Sequence, residues 1–170
     1  MPNITLPDAS KRHFEAATSG AEIAASISKS LLRNAVAARV DGALWDLTRK
    51  IETDAVVEIV TRESDEGLEL LRHDAAHVLA EAVKELWPDT QVTIGPAIDN
   101  GFYYDFARDE AFTEADLETI ETRMKEIVDR DEVIEREVWE RDEAAAFFRG
   151  IGEEYKAEII ESIPSDEDLT

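Results

Sequence analysis

One unbroken helical pattern, bounded by Ser64 and Pro88, constrains this chain more than any other feature. Leu68, Leu71, Ala75, Leu79, Ala82 and Leu86 recur at helical spacing and form a single apolar stripe at 100° per residue. Ser64 is suited to cap the helix, Asp65 and Glu66 sit at the positive end of its dipole, and Pro88 cannot continue it. A helix is therefore predicted over about Asp65 to Trp87, entered through the acidic hinge Glu63 to Gly67.

Residues 3–62 hold short alternating runs instead. Ile4-Thr5-Leu6 reads as a strand and Pro7-Asp8-Ala9-Ser10 as a turn, after which Lys11 to Ala17 can return as the hairpin partner. Thr18 or Ser19 can cap a helix from about Ala21, and Ile23, Ile27 and Leu31 follow at four-residue steps. Ala35 to Val40 reads as a strand, Asp41-Gly42 as a tight hairpin turn, Leu44 to Leu47 as the returning strand and Val56 to Val60 as the last one. Two strands, one helix and three strands in that order predict a small β-grasp fold.

Beyond the long helix, residues 90–106 read as strand, Gly-Pro turn, loop and strand. Thr113 and Asp116 have capping-box spacing and open a helix with Leu117, Ile120, Met124 and Ile127 on one side. Val133 to Trp139 alternates like a strand, and Asp142 to Arg149 reads as a short helix with Gly150 at its C′ position. Tyr155 to Ile160 is read as a further strand, and the tail from Ile163 to Thr170 contains no closing element. The expected fold class is α+β: a β-grasp domain over 1–62, then a domain over 63–170 with the long helix packed on an antiparallel sheet.

Charge narrows the function classes. Forty acidic against 18 basic residues give a formal net charge of −22. Such a surface repels phosphate backbones and anionic lipid, so contact with RNA calls for a local site or a basic neighbour. The chain has no cysteine, which excludes disulfide and thiolate chemistry within it. It has no apolar run of about 18 residues that could span a membrane. Its start, Met-Pro-Asn-Ile-Thr-Leu, lacks the layout of a secretion signal, and a cytoplasmic location is expected.

His73 and His77 stand four residues apart on the predicted helix, with both imidazoles on one face, one turn apart. They fall roughly opposite the apolar stripe, near Leu70, Ala80 and Lys84. The spacing alone admits an ordinary surface or polar-core pair, two ligands of a zinc ion, or a catalytic pair. His13, between Arg12 and Phe14, is read as structural, and the acidic helix 113–132 as a solvated amphipathic face. At least one of Phe102, Tyr103 and Tyr104 is expected in the core, because alternation sends neighbours to opposite faces.

What surrounds the histidine pair narrows the choice. Ile4 to Asp8, Ala38 to Gly42, Leu44, Asp46-Leu47 and Asp54-Ala55 resemble the TGS domain, a ubiquitin-like module of threonyl-tRNA synthetases, some GTPases and stringent-response enzymes. That family usually has glycine where this chain has Ala9. Arg72-His73 with Ala76-His77, Leu86-Trp87-Pro88, Ile94-Gly95-Pro96, Asp99 to Asp105 and Glu154-Tyr155-Lys156 then resemble, in order, the editing domain of bacterial threonyl-tRNA synthetases. Asp74 departs from the serine or threonine that often follows the first histidine.

The resemblance implies an N-terminal fragment, because the family's pocket continues with a Cys-x-x-x-His motif that this chain does not contain. It implies a TGS domain at 1–62 and the first part of the editing domain at 63–170. The parent would join L-threonine to tRNA(Thr) with ATP and Mg2+ and hold a zinc ion in its later catalytic domain; no cofactor or metal is expected in this segment. The partner would be the acceptor end of tRNA(Thr), with no membrane involved. The parent would be a homodimer through later domains, and the fragment a monomer. Serine lacks one methyl of threonine, a difference worth only about 1–3 kcal/mol in binding, so a hydrolytic second site solves the selectivity problem.

By the same resemblance His73, His77 and Lys156 are catalytic residues of that site, and Tyr104 and Gly95 contact the substrate. Histidine near neutral pKa can orient or deprotonate the attacking water, and lysine can stabilise charge on the ester or leaving oxygen. Without the Cys-x-x-x-His half, the fragment is expected to hydrolyse poorly or not at all. The alternatives are a free-standing trans-editing deacylase, a non-enzymatic TGS-bearing regulatory or RNA-binding module, and a zinc hydrolase built on His73 and His77.

Overall fold

The computed structural model describes all residues except 133–134, 165–168 and 170. The chain forms two compact units, Met1–Leu71 and Arg72–Thr170. The content is α+β, as the sequence predicts.

The first unit opens with β1 (Asn3–Thr5) and β2 (Lys11–His13), an antiparallel hairpin. β3 (Thr18–Ser19) leads into α1 (Gly20–Ile27), where Ser19 and Glu22 complete a reciprocal capping box. The four-residue run Ile23, Ile27, Leu31 predicts one helix, but the chain breaks at Ser28. Ser28 takes extended dihedrals and caps a second short helix, α2 (Lys29–Asn34). A serine hydroxyl competes for backbone N–H groups and starts helices more readily than it continues them.

β4 (Ala35–Val40), β5 (Ala43–Trp45), β6 (Lys50–Ile51) and β7 (Ala55–Thr61) follow. The sheet order is β2-β1-β7-β4-β5, with β1 and β7 parallel and the other neighbours antiparallel; β3 and β6 make a separate small ladder. Asp41 and Gly42 both take positive φ, 48° and 88°, the signature of a type I′ hairpin turn. The Asp41 carboxylate also accepts from Val56 N at 2.8 Å, tying the turn to the central strand. Ile4, Leu6, Ile23, Ala38, Val40, Ile51, Ala55 and Val57 form the core.

α3 (Asp65–Leu86) is the predicted long helix, with Ser64 Oγ accepting from Gly67 N at 3.1 Å. Its buried face differs from the expected stripe. Leu68 and Leu71 are 43% and 42% exposed, while Ala76, Ala80, Ala82 and Val83 are buried. A wider arc of the helix is covered than one stripe, because alanines let neighbouring elements approach on a face that hydropathy alone leaves blank.

In the second unit β8 (Gln91–Val92) pairs with β11 (Phe106–Ala107), and β9 (Ala97–Ile98) pairs with β10 (Gly101–Phe102). Thr93 N donates to Asp105 O and Asp105 N to Ile94 O between these ladders, so residues 91–107 form one long irregular hairpin. α4 (Glu114–Arg130) starts at the predicted Thr113–Asp116 capping box. It buries Ile120 and Ile127, while Leu117 stays exposed. Its Arg130 reaches Glu85 of α3 at 2.6 Å. Ala82, Val83, Ile120 and Ile127 make the core, with Trp87, Phe106 and Phe112 packed against it.

Val133 and Ile134, the start of a predicted strand, lie outside the described residues. Residues 135–138 are not in a strand, and Trp139 makes one isolated bridge to Leu169. Most of the tail for which no closing element is predicted, 165–168 and 170, is likewise outside them.

α5 (Arg141–Gly150) is followed by a second helix, α6 (Glu154–Ser162), where the sequence suggested a strand over Tyr155 to Ile160. Ala157 is buried and Tyr155 and Ile159 are exposed, a helical rather than two-residue alternation, and α6 packs against α5. The C′ position falls to Gly152 instead of Gly150. Gly152 has φ 81°, Gly152 N donates to Arg149 O at 3.0 Å and Glu153 N to Phe148 O at 2.8 Å, which is a Schellman motif.

Candidate functional site

α3 presents His73 and His77 on one face, as their spacing requires. Their Nε2 atoms are 3.0 Å apart and the rings meet edge to face, with centroids 4.7 Å apart. One nitrogen must donate and the other accept, so the contact favours a single shared hydrogen and disfavours a doubly charged pair. Burial holds the His77 imidazole below its ordinary pKa, and the positive charges of His73 and Lys156 push the same way against the opposing pull of Asp74.

Lys156 comes from the first turn of α6 and sits over the Phe148 ring of α5, with Nζ 5.5 Å from the centroid. The helical course of α6 corrects the strand expectation and aims Lys156 differently from a strand residue. His77 and Lys156 line one cavity of about 760 Å3, whose apolar wall includes Trp139, Phe147, Phe148 and Ile160. Residues some 80 apart in sequence thus meet at one opening.

Tyr104 and Gly95 form a second contact. A Cβ on Gly95 would fall 2.0 Å from the Tyr104 ring, so only glycine allows the ring to lie against this backbone. Tyr104 stacks on Phe106 at 4.9 Å between centroids. Burial, with help from the Glu153 carboxylate, raises the Tyr104 phenol above its ordinary pKa. Neither Gly95 nor Tyr104 lines the His77–Lys156 cavity. Phe102 and Tyr104 are half-buried and Tyr103 is exposed, so none of the three enters the buried core; the aromatic packed against that core is Phe106, which meets Phe112.

Sequence reading passed over Trp139, Phe147 and Phe148, which supply the apolar wall. It also passed over the ion pair of Lys84 Nζ with Glu153 Oε1 at 2.6 Å. Lys84 lies seven residues past His77 on the same helix face, which was the available signal. Among the described residues, no three of His, Cys, Asp and Glu gather closely enough to hold a metal ion. His13 pairs with Asn3 across the first hairpin, Nδ1 to Oδ1 at 3.1 Å.

The fold is α+β, and residues 2–61 match the family described as TGS domain. Over the whole chain, the sequence is similar to the N-terminal region of bacterial threonine–tRNA ligases. It is 60% identical over 171 residues to the threonine–tRNA ligase of Hyphomonas neptunium, covering 100% of this chain and 26% of that protein. The ligase of Phenylobacterium zucineum is 60% identical, with 100% and 26% covered. That of Agrobacterium fabrum is 56% identical, with 98% and 25% covered. The chain thus spans about a quarter of the length of these relatives.

Proposed function

We propose that this chain is the N-terminal part of a threonine–tRNA ligase and that its second unit contributes to hydrolytic editing of seryl-tRNA(Thr). The meeting of His77 and Lys156 at one cavity, with His73 at 3.0 Å from His77, carries the reading. On this reading residues 1–62 are the TGS domain and 63–170 the first part of the editing domain.

The reaction breaks the ester between the seryl carbonyl carbon and the terminal ribose oxygen. Water supplies hydroxyl to the carbon, and a proton ends on the ribose oxygen. The surroundings of His77 favour its neutral form, and in the tautomer whose Nε2 donates to His73 its Nδ1 lone pair can orient the water and accept its proton. His73 holds the His77 ring in place through the shared hydrogen bond. Lys156 carries a positive charge suited to the oxygen that turns negative as the carbonyl is attacked. ATP, Mg2+ and zinc belong on this reading to aminoacylation in the rest of the ligase, since the histidine pair has no third ligand among the described residues.

The net charge of −22 bears on partner choice. On this reading acceptor-end RNA calls for a local site or a basic neighbour rather than this surface as a whole. The test is deacylation of seryl-tRNA(Thr) by the intact ligase. His77→Ala and Lys156→Ala should each lower it by about 100-fold or more while threonylation is unchanged. Undiminished deacylation by both variants would overturn the reading.

A further inference from the structure

Two turns along α3 from His77 lies an ion pair that the proposed chemistry does not use. Lys84 Nζ is 2.6 Å from Glu153 Oε1, and the Glu153 side chain is only 6% exposed. A buried pair of this kind gains little net stability, because desolvation offsets the attraction. Its geometry gives it another role.

Lys84 donates to three partners: Glu153, the Pro88 carbonyl at 2.7 Å and the Thr90 carbonyl at 3.1 Å. It thereby joins α3, the turn that ends it and the start of α6. Glu153 is fixed from both ends. Its backbone N–H completes the Schellman motif on Phe148, and its side chain reaches Lys84. It stands at the N-cap position of α6, three residues before Lys156. The first turn of α6 therefore takes its place from this contact. One face of one helix carries His73, His77 and Lys84, so a single element sets both the imidazole pair and the anchor of the lysine opposite. The second carboxylate oxygen, Oε2, is buried without a hydrogen-bond partner, and the charge of this group is felt at Tyr104.

We propose that Lys84 and Glu153 are positioning residues that fix Lys156 against His77 for ester hydrolysis. This rests on the editing reading above. Neither residue touches the reacting atoms; both act through Lys156.

The experiment is seryl-tRNA(Thr) deacylation by the intact ligase carrying Glu153→Gln, Lys156→Ala or both, with threonylation and thermal unfolding measured alongside. Misplacing a catalytic group by about 1 Å can cost up to 100-fold. Glu153→Gln should lower deacylation kcat at least about tenfold, within that range, with KM and threonylation little changed. The double variant should be no slower than Lys156→Ala alone, because a residue acting through Lys156 has nothing left to position. Should Glu153→Gln not fold, Lys84→Gln carries the same comparison. Normal deacylation by the positioning variant beside an impaired Lys156→Ala would overturn the proposal, and so would a double variant much slower than Lys156→Ala. Normal deacylation by Lys156→Ala would also overturn the proposal, and normal deacylation by His77→Ala as well would overturn the editing reading itself.

Discussion

His77 Nε2 lies 3.0 Å from His73 Nε2, so the charge of His73 bears directly on the protonation of His77. Burial, then the charges of His73 and Lys156, hold His77 below its ordinary 6.5, while Asp74 pulls upward. His73→Gln and Lys156→Met should each raise the His77 midpoint, and Asp74→Asn should lower it further. Titration of the imidazole signals by NMR measures all three. The sign for stability follows: the unfolded chain binds this proton first, so His77's contribution is intact above 6.5 and is lost as pH falls through the folded midpoint. A His73→Gln variant whose His77 midpoint falls would contradict the pairing.

Gly95 and Tyr104 make a steric prediction. Because a Cβ at 95 would meet the Tyr104 ring at 2.0 Å, Gly95→Ala must displace a ring stacked on Phe106. The expected cost is about 1–3 kcal/mol of stability, read by thermal or denaturant unfolding. In a Tyr104→Ala background the same substitution should cost much less, since the obstructing ring is gone.

Gly150 and Gly152, two residues apart, should respond with opposite signs. Gly150 ends α5 with open space around its Cα, so Gly150→Ala should stabilise by about 0.5–1 kcal/mol. Gly152 takes φ 81° in the Schellman motif, so Gly152→Ala should destabilise by about 1–2 kcal/mol. Equilibrium unfolding of the two variants distinguishes this assignment from the one in which Gly150 closes the helix.

Ala9 holds φ 64° in the turn between β1 and β2, a left-handed conformation that costs a residue with a Cβ about 1–2 kcal/mol. Glycine avoids that cost but has more freedom to lose on folding. Ala9→Gly should therefore stabilise the first unit by up to about 1 kcal/mol, seen as a higher unfolding midpoint. A lower midpoint would show that the turn accommodates alanine without strain. This is also the turn position at which TGS domains usually carry glycine, which the resemblance flagged and the dihedral explains.

Local rules made much of the first unit legible. Asp41-Gly42 allowed one tight turn and fixed the register of the strands around it, and Ser19 with Glu22 marked a helix start through their reciprocal hydrogen bonds. The helix was misjudged only at Ser28, where a capping hydroxyl overrode the apolar spacing. Thr113 with Asp116 marked α4 in the same way. The second unit was harder around residues 150–160, where Tyr155 to Ile160 satisfies either period over six residues. Packing of Ala157 on its neighbours decided for the helix.

By itself, the sequence determined that His73 and His77 share a helix face, because four residues is close to one turn and that geometry is local. It likewise determined the hairpins and caps whose hydrogen bonds close within a few residues. Only the tertiary structure decided that Lys156 and His77 line one cavity, that Tyr104 lies on Gly95, and that Lys84 pairs with the buried Glu153. Those relationships depend on how α3, the 91–107 hairpin and the α5–α6 pair bury one another. Burial is a sum over distant surfaces, which no short stretch of sequence contains.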